Sequence, residues 1–187
     1  PPFAAAVDAG VRTVMVSGGE IDGVPMHANR RMLEQLLRKR LGFEGEILSD
    51  WEDIRELHTL HRVARDEKEA TRMALDAGID ISMTPYDTHF AQHVKELLEE
   101  GAVTEERLDR SVRRVLRLKV ELGLFEEPGP REDLVDRIGS PAHQAAALQA
   151  AREGIVLLEN RDGTLPLPER PKRLLLLGPA ADSRRNL

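Results

Sequence analysis

The sequence predicts an α/β fold on a parallel sheet: the C-terminal part of a (β/α)8 barrel, then a linker, then the first strand of a second α/β domain. Three observations predict it. Short runs of β-branched and aliphatic residues alternate with helices of 3.6-residue apolar period. Each run is too short and too apolar to be a solvent-washed antiparallel edge, which is the pattern of a parallel sheet covered on both faces. The composition then changes after Phe125, where the turn-rich stretch EEPGPRED separates the alternating part from an Ala-rich helix. Three strand–helix units cannot close a barrel, but they fit its last three.

In chain order, residues 13–17 (TVMVS) read as a buried strand between Gly10 and the Gly18-Gly19 pair. Asn29 caps a helix running to about Leu41, with Met32, Leu33, Leu36, Leu37 and Leu41 on one face. Gly42 supplies its left-handed stop. The second strand, residues 46–49, lies within GFEGEILSDW. A loop carrying Arg55, His58, His61 and Arg62 follows, and then a helix over residues 67–77 that stops at Gly78. The third strand, residues 79–83, leads into Thr84-Pro85. A helix over residues 88–100 ends at Gly101. Thr104 caps the next, with Glu105 and Glu106 in the first turn, where the helix dipole favours acids. Its inner face reads as Leu108, Val112, Val115, Leu116 and Leu122, and Gly123 terminates it.

Beyond the linker, Ser140-Pro141 opens a helix to about Glu153, with Ser as cap and Pro at the first helical position. GIVLLEN (154–160) is expected to be extended, Asp162-Gly163 turns the chain, and RLLLLGPAAD looks like an opening strand. The expected division is therefore residues 1–125 as part of the barrel, 126–170 as the linker and 171–187 as the start of the second domain. The chain begins at Pro1 and its final apolar strand has no following partner, so it reads as an internal fragment of a larger protein.

Composition narrows the function classes. With 27 Lys and Arg against 33 Asp and Glu the net charge is −6, and no basic patch stands out, which argues against a nucleic-acid partner. There is no cysteine, hence no disulfide framework and no thiolate metal site. No apolar run approaches the roughly 20 residues that cross a bilayer. Oligomeric state and compartment are left open.

Asp50 is the leading candidate for chemistry. It stands at the C-terminal tip of a strand, the end at which barrel folds do chemistry. Beside it is Trp51, the only Trp in the chain. The functional reading is a nucleophile or general base in a cleft; the bland one is an Asp that caps the next loop. The neighbouring indole favours a sugar site, because the apolar face of a sugar ring stacks on aromatic rings. His58 and His61 are spaced as two ligands on one helical face, but no third His follows at a matching interval. The polar stretch ELHTLHRVARDEKE reads instead as a solvated loop. His89 and His93 lie four apart without the Glu of a zinc-protease motif, and read as surface or satisfied histidines. Asp53 and Asp80 are expected to fix neighbouring loops, and Glu20 to be surface or structural. No metal and no organic cofactor is called for.

Residues 19–54, GEIDGVPMHANRRMLEQLLRKRLGFEGEILSDWEDI, closely resemble glycoside hydrolase family 3, the β-glucosidase and β-xylosidase family. The matching positions are Asp22-Gly23-Val24-Pro25, Asn29, Gly42-Phe43, Gly45 and Ser49-Asp50-Trp51. AGIDISM (77–83) resembles the family's last barrel strand, and RVLRLKVELGLFEEP (114–128) the helix that closes its barrel. AREGIVLLENRDGTLPLP (151–168) resembles its inter-domain connector, and LLLLGPAAD (174–182) the opening strand of an α/β sandwich domain.

The resemblance implies a retaining, exo-acting β-glycosidase, a β-glucosidase before a β-xylosidase, acting on small oligosaccharides or β-glycosides. Asp50 would be its nucleophile, Trp51 its aromatic wall, and Met15 with the loop Ser17-Gly18-Gly19-Glu20 part of its sugar pocket. Where many members carry an aromatic shortly after the Met, this chain has Gly18 and Gly19. The family's sugar-gripping Lys-His pair and its acid/base carboxyl would lie outside this chain, so the chain by itself is expected to be inactive. A periplasmic, secreted or cytoplasmic site is each compatible with the family. The alternative is a non-catalytic carbohydrate-binding or structural remnant of a truncated glycosidase gene. A lyase or aldolase using Asp50 as a base would need a Schiff-base Lys or a metal cluster at the strand tips, which show neither.

Overall fold

The computed structural model describes residues 2–170, 173, 175 and 177–183. It divides into two units, Pro1–Gly129 and Pro130–Leu187. In chain order the first contains helix α1 (Pro2–Asp8), strand β1 (Thr13–Met15), the short strands β2 (Glu20–Ile21) and β3 (Val24–Pro25), and helix α2 (Arg31–Arg40). Strand β4 (Glu46–Trp51), helices α3 (Asp53–Thr59) and α4 (Glu67–Ala77), strand β5 (Ile81–Met83), and helices α5 (His89–Glu99) and α6 (Glu105–Glu121) follow. The second unit holds helix α7 (Pro141–Gly154) and two single helical turns, Glu132–Arg137 and Arg161–Gly163.

The three expected strands form one parallel sheet in the order β1-β4-β5. Thr13 lies opposite Glu46 and Met15 opposite Leu48; on the other side Leu48 lies opposite Ile81 and Trp51 opposite Met83. Ile47 at the centre and Ile79 just before β5 are fully buried, with Val16, Leu33, Phe43, Ile54 and Leu57 around them. Small residues on α4, Ala70, Ala74 and Ala77, are buried in the same cluster and let that helix approach closely.

The caps act as their residue types dictate. Asn29 Oδ1 accepts the Met32 N–H at 3.1 Å ahead of α2, and Asp66 accepts the Glu69 N–H at 2.7 Å ahead of α4. Thr104 and Ser140 do the same for α6 and α7. Helix α2 is wound with the wider π-type hydrogen bonding.

Several expectations are corrected. Residues 53–59 are helix α3 rather than loop, because Ile54 and Leu57 are buried and fasten the segment to the core. Residues 20–25 form a two-stranded hairpin, whose two-residue turn needs the positive φ of Asp22 (52°) and Gly23 (76°). Helix α1 was not read from the sequence. The expected inner face of α6 is met in part: Leu108 packs against the core and Val115 is half-buried. Val112, Leu116 and Leu122 are 53, 46 and 63 % exposed, while Ser111 is buried and Arg107 and Arg114 reach inward.

The inward polar residues of α6 answer to Asp80, whose side chain is completely buried. Its carboxylate accepts from Arg38 Nη2 at 2.6 Å, Arg114 Nη1 at 2.8 Å, the Ser111 hydroxyl at 2.5 Å and the Ile47 N–H at 3.1 Å. Arg107 adds donors to the carbonyls of Leu75 and Ile79, at 2.8 Å each. A buried carboxylate needs such partners, and they bring Ser111, Arg107 and Arg114 to the inner side of α6. Asp80 thus ties α2, β4 and α6 together rather than fixing a loop.

In the second unit residues 155–160 make no strand pairing among the described residues, and Leu158 is 92 % exposed. Of the opening strand expected within residues 173–182, Leu174 and Leu176 lie outside the described residues, and residues 178–182 form a bend and turn rather than a strand.

Gly45 is required on steric grounds. A Cβ there would sit 2.0 Å from the Arg12 carbonyl oxygen and 2.7 Å from the Phe43 ring. Gly45→Ala is expected to cost about 1–3 kcal/mol, seen as a lower urea midpoint at unchanged m-value.

Candidate active site

All three strands point their C-terminal ends the same way, so the segments after Met15, Trp51 and Met83 gather at one end of the sheet. That end carries Asp50. The β4–β5 register shifts between Leu48 and Trp51, so Ser49 and Asp50 leave the regular ladder. Side chains replace the lost pairing. The buried Ser49 hydroxyl accepts the Met83 N–H at 2.7 Å and donates to the Asp50 carbonyl at 2.9 Å. The Asp50 N–H donates to His27 Nε2 at 3.1 Å. Asp50 Oδ1 accepts the Trp51 N–H at 2.7 Å, and the other carboxylate oxygen of this half-buried side chain has no hydrogen bond among the described residues. Glu52 then takes a left-handed φ of 63° and donates its N–H to the Met83 carbonyl at 3.0 Å, swinging the chain into α3.

Trp51 is half-exposed and meets Tyr86 edge to face, with ring centroids 5.8 Å apart and planes at 82°. Tyr86, the chain's only Tyr, follows β5 and is 74 % exposed. The two rings make an aromatic corner next to Asp50, an arrangement suited to a ligand with apolar C–H faces. Tyr86 was missed in the sequence because it lies far from Trp51 along the chain, in a turn whose direction only the β4–β5 pairing decides. Met15, half-exposed, lines a hollow between β1, the hairpin and α2; the residues around that hollow include neither Asp50 nor Trp51.

His27 was also missed, although it lies two residues before Asn29 inside the PMHAN stretch. It is 2 % exposed and sits on the turn Met26–Ala28 that follows the hairpin. Its Nδ1 lies 3.8 Å from Asp53 Oδ2. Burial pushes the imidazole down to about 4; the Asp50 charge opposes this and His61 adds to it. Burial also raises Asp53, helped by Glu56 and Asp50 and opposed by His61. Asp53 Oδ2 is buried without a hydrogen-bond donor among the described residues. Gly18 makes room for it, since a Cβ at that position would lie 2.6 Å from Oδ2. Asp53 therefore lies against His27 and Gly18 rather than merely holding a loop.

The remaining candidates disperse. His58 Nδ1 contacts the Ala64 carbonyl at 3.1 Å, on a helix and not in a solvated loop. His61 lies 3.8 Å from Glu20, and His89 lies 3.3 Å from Asp87 with its ring tilted on His93. Among the described residues no group of three or more His, Asp or Glu could hold a metal ion.

The His27 shift has a definite consequence for stability. Between the ordinary value of 6.5 and about 4, the unfolded chain binds a proton that the folded chain refuses. Stability therefore falls as the pH drops through that window and levels off below it. Asp53 works in the opposite sense, since its raised carboxyl costs stability as the pH rises past its unfolded value. Urea midpoints measured across the His27 window should fall more steeply for the wild type than for His27→Gln.

Residues 1–118 match the model of the glycosyl hydrolase family 3 N terminal domain. The chain belongs to glycosyl hydrolase family 3. The family 3 match runs into α6, while similarity to individual relatives covers the whole chain. It is 47 % identical over 191 residues to a lysosomal beta glucosidase of Dictyostelium discoideum, covering 100 % of this chain and 23 % of that one. It is 39 % identical over 193 residues to a periplasmic beta-glucosidase of Salmonella typhimurium, covering 100 % of this chain and 25 % of that one. The structure resembles the crystal structure of a beta-glucosidase from Listeria innocua in complex with glucose, with a TM-score of 0.76 at 36 % identity over 89 % of this chain and 23 % of that one. This family 3 chain thus spans about a quarter of the length of the curated relatives it matches.

Proposed function

We propose that this family 3 chain carries the later strands of the barrel, and the nucleophile, of a retaining, exo-acting β-glycosidase, a β-glucosidase before a β-xylosidase. The observation that carries this reading is the Asp50 carboxylate at the C-terminal end of β4, with one oxygen on the Trp51 N–H and the Trp51–Tyr86 corner beside it. The beta-glucosidases among the relatives support the substrate class.

In this mechanism the free oxygen of Asp50 attacks the anomeric carbon of a terminal β-linked sugar. The bond to the departing glycosidic oxygen breaks, and a second carboxyl, about 5–5.5 Å from the first in retaining enzymes, protonates that oxygen. The same carboxyl then deprotonates a water, which attacks the glycosyl ester and frees Asp50 with overall retention. Trp51 and Tyr86 stack on the sugar's C–H faces and orient it. Two carboxyls suffice, so the chemistry calls on no metal or organic cofactor. The second carboxyl and the remaining sugar contacts come from parts of the protein outside this chain, and residues 126–187 form the connector and the start of the second domain. The 187-residue chain alone is then inactive.

The test is covalent trapping in the full-length protein. A 2-deoxy-2-fluoro-β-glucoside with a good leaving group forms the ester but hydrolyses slowly, because fluorine destabilises both transition states. Peptide mapping should find the fluoroglucosyl mass on Asp50. A label on another carboxylate, or robust β-glucoside turnover by the isolated chain, would overturn the reading.

A further inference from the structure

We propose that His27 is a positioning residue for the nucleophile: its Nε2 holds the backbone of Asp50, and Asp53 beneath it holds the imidazole in the tautomer that can do so. The inference rests on Asp50 being the nucleophile. Its physical basis is the end of the β1–β4 ladder. Glu46 and Leu48 bond towards β1, and the last β1–β4 pair is Met15 opposite Leu48, so the Asp50 N–H, two residues further on the same side, has no ladder partner and would be orphaned at a half-buried site. His27 Nε2 accepts it at 3.1 Å, and only an unprotonated nitrogen can accept. The ring hydrogen must then be on Nδ1, which faces the buried, donor-free Asp53 Oδ2 at 3.8 Å. That spacing is too long for a hydrogen bond, but it places a negative charge where it favours hydrogen on Nδ1 over Nε2.

The groups around the imidazole agree. Asp50 on β4 and Asp53 on α3 face it directly, Glu56 of α3 acts on Asp53, and His61, itself 3.8 Å from Glu20 of β2, lies beyond. Burial keeps the ring neutral, so Nε2 retains its lone pair at neutral pH. Protonation would set two N–H groups against each other at Asp50 and release the peptide that aims its carboxylate. Gly18 completes the arrangement, since any side chain there would push Asp53 out from under the ring.

The rate of fluoroglucosyl trapping in the full-length protein tests this, because it reads the first chemical step at Asp50 alone. His27→Phe keeps a ring but has no acceptor. It should slow trapping about 10- to 100-fold with little change in the inactivator's binding constant, as expected for a misplaced rather than a missing nucleophile. His27→Gln, whose Oε1 can take the place of Nε2, should recover most of that loss. Asp53→Asn should slow trapping in the wild type but not in the His27→Gln background, because Gln has no tautomer to hold.

Wild-type trapping rates in folded His27→Phe, or equal losses in the Phe and Gln variants, would overturn the proposal. If the Phe variant does not fold, the Asp53→Asn comparison decides: loss in the wild type alone supports the role, and additive loss in both backgrounds overturns it. Labelling of wild-type protein away from Asp50 would instead defeat the nucleophile assignment itself, whatever His27 does.

Discussion

Asp50→Asn in the full-length protein is expected to reduce β-glucoside turnover by about 10⁴- to 10⁶-fold, the scale on which removing a catalytic nucleophile acts. The structure makes the loss chemical rather than structural. Asn keeps an oxygen for the Trp51 N–H, and the contact to His27 uses the Asp50 backbone, which the substitution leaves in place. The variant should therefore keep its melting temperature and still bind sugars through Trp51 and Tyr86. What it lacks is a carboxylate oxygen able to form the glycosyl ester. Asp50→Gly extends the test, since the space it opens can admit azide as an external nucleophile. Azide should restore turnover of activated aryl β-glucosides and give a glycosyl azide of inverted anomeric configuration. An Asp50→Asn variant with more than about a tenth of wild-type activity would exclude covalent catalysis by this residue.

Asp80→Ala is expected to have the largest effect on stability, a loss of about 3–5 kcal/mol. Removing the carboxylate leaves Arg38, whose side chain is 7 % exposed, as a buried cation without its nearest counter-charge. It also leaves the Ser111 hydroxyl hydrogen without its acceptor, strands the Ile47 N–H, and frees Arg114 from the sheet. One relief acts the other way. Burial and the Asp80 charge both raise the carboxyl of Glu46 at the start of β4, so removing Asp80 eases Glu46. That compensation is small beside an orphaned guanidinium, because Glu46 can also relax by taking up a proton. Asp80→Asn, which keeps the acceptor but not the charge, should fall between the two. The check is denaturant unfolding combined with trapping at Asp50. Asp80 precedes β5 while Asp50 ends β4, so the two lie at opposite ends of the parallel sheet. Label per folded molecule should therefore be unchanged in the Asp80 variants, and a parallel loss would show the two ends to be coupled.

Local chemistry made much of this protein legible in advance. Asn29, Thr104 and Ser140 cap helices because short polar side chains satisfy the first free N–H groups wherever they stand. Gly78 and Gly101 stop helices because a left-handed residue is needed there, at φ of 108° and 70°. The three apolar runs became parallel strands because their composition suits burial on both faces. Asp50 and Trp51 were visible together because they are neighbours in the chain, at the end of a strand that could be recognised.

Tertiary structure decided what depended on partners distant in sequence. Hydrophobic periodicity placed Val112 and Leu116 on the inner face of α6, but the chain buries Ser111 and brings Arg107 and Arg114 inward, since Asp80 is buried on the sheet and must be neutralised. His27 reaches the Asp50 end through the hairpin, whose Asp22-Gly23 turn is a local signal, and Tyr86 through the β4–β5 pairing, which no local pattern encodes. Sequence alone determined which groups could react, because the chemistry of a carboxylate travels with the residue. Which of them are buried, aimed and held in one protonation state was settled by packing, because desolvation and hydrogen bonding depend on what surrounds a group and not on where it stands in the chain.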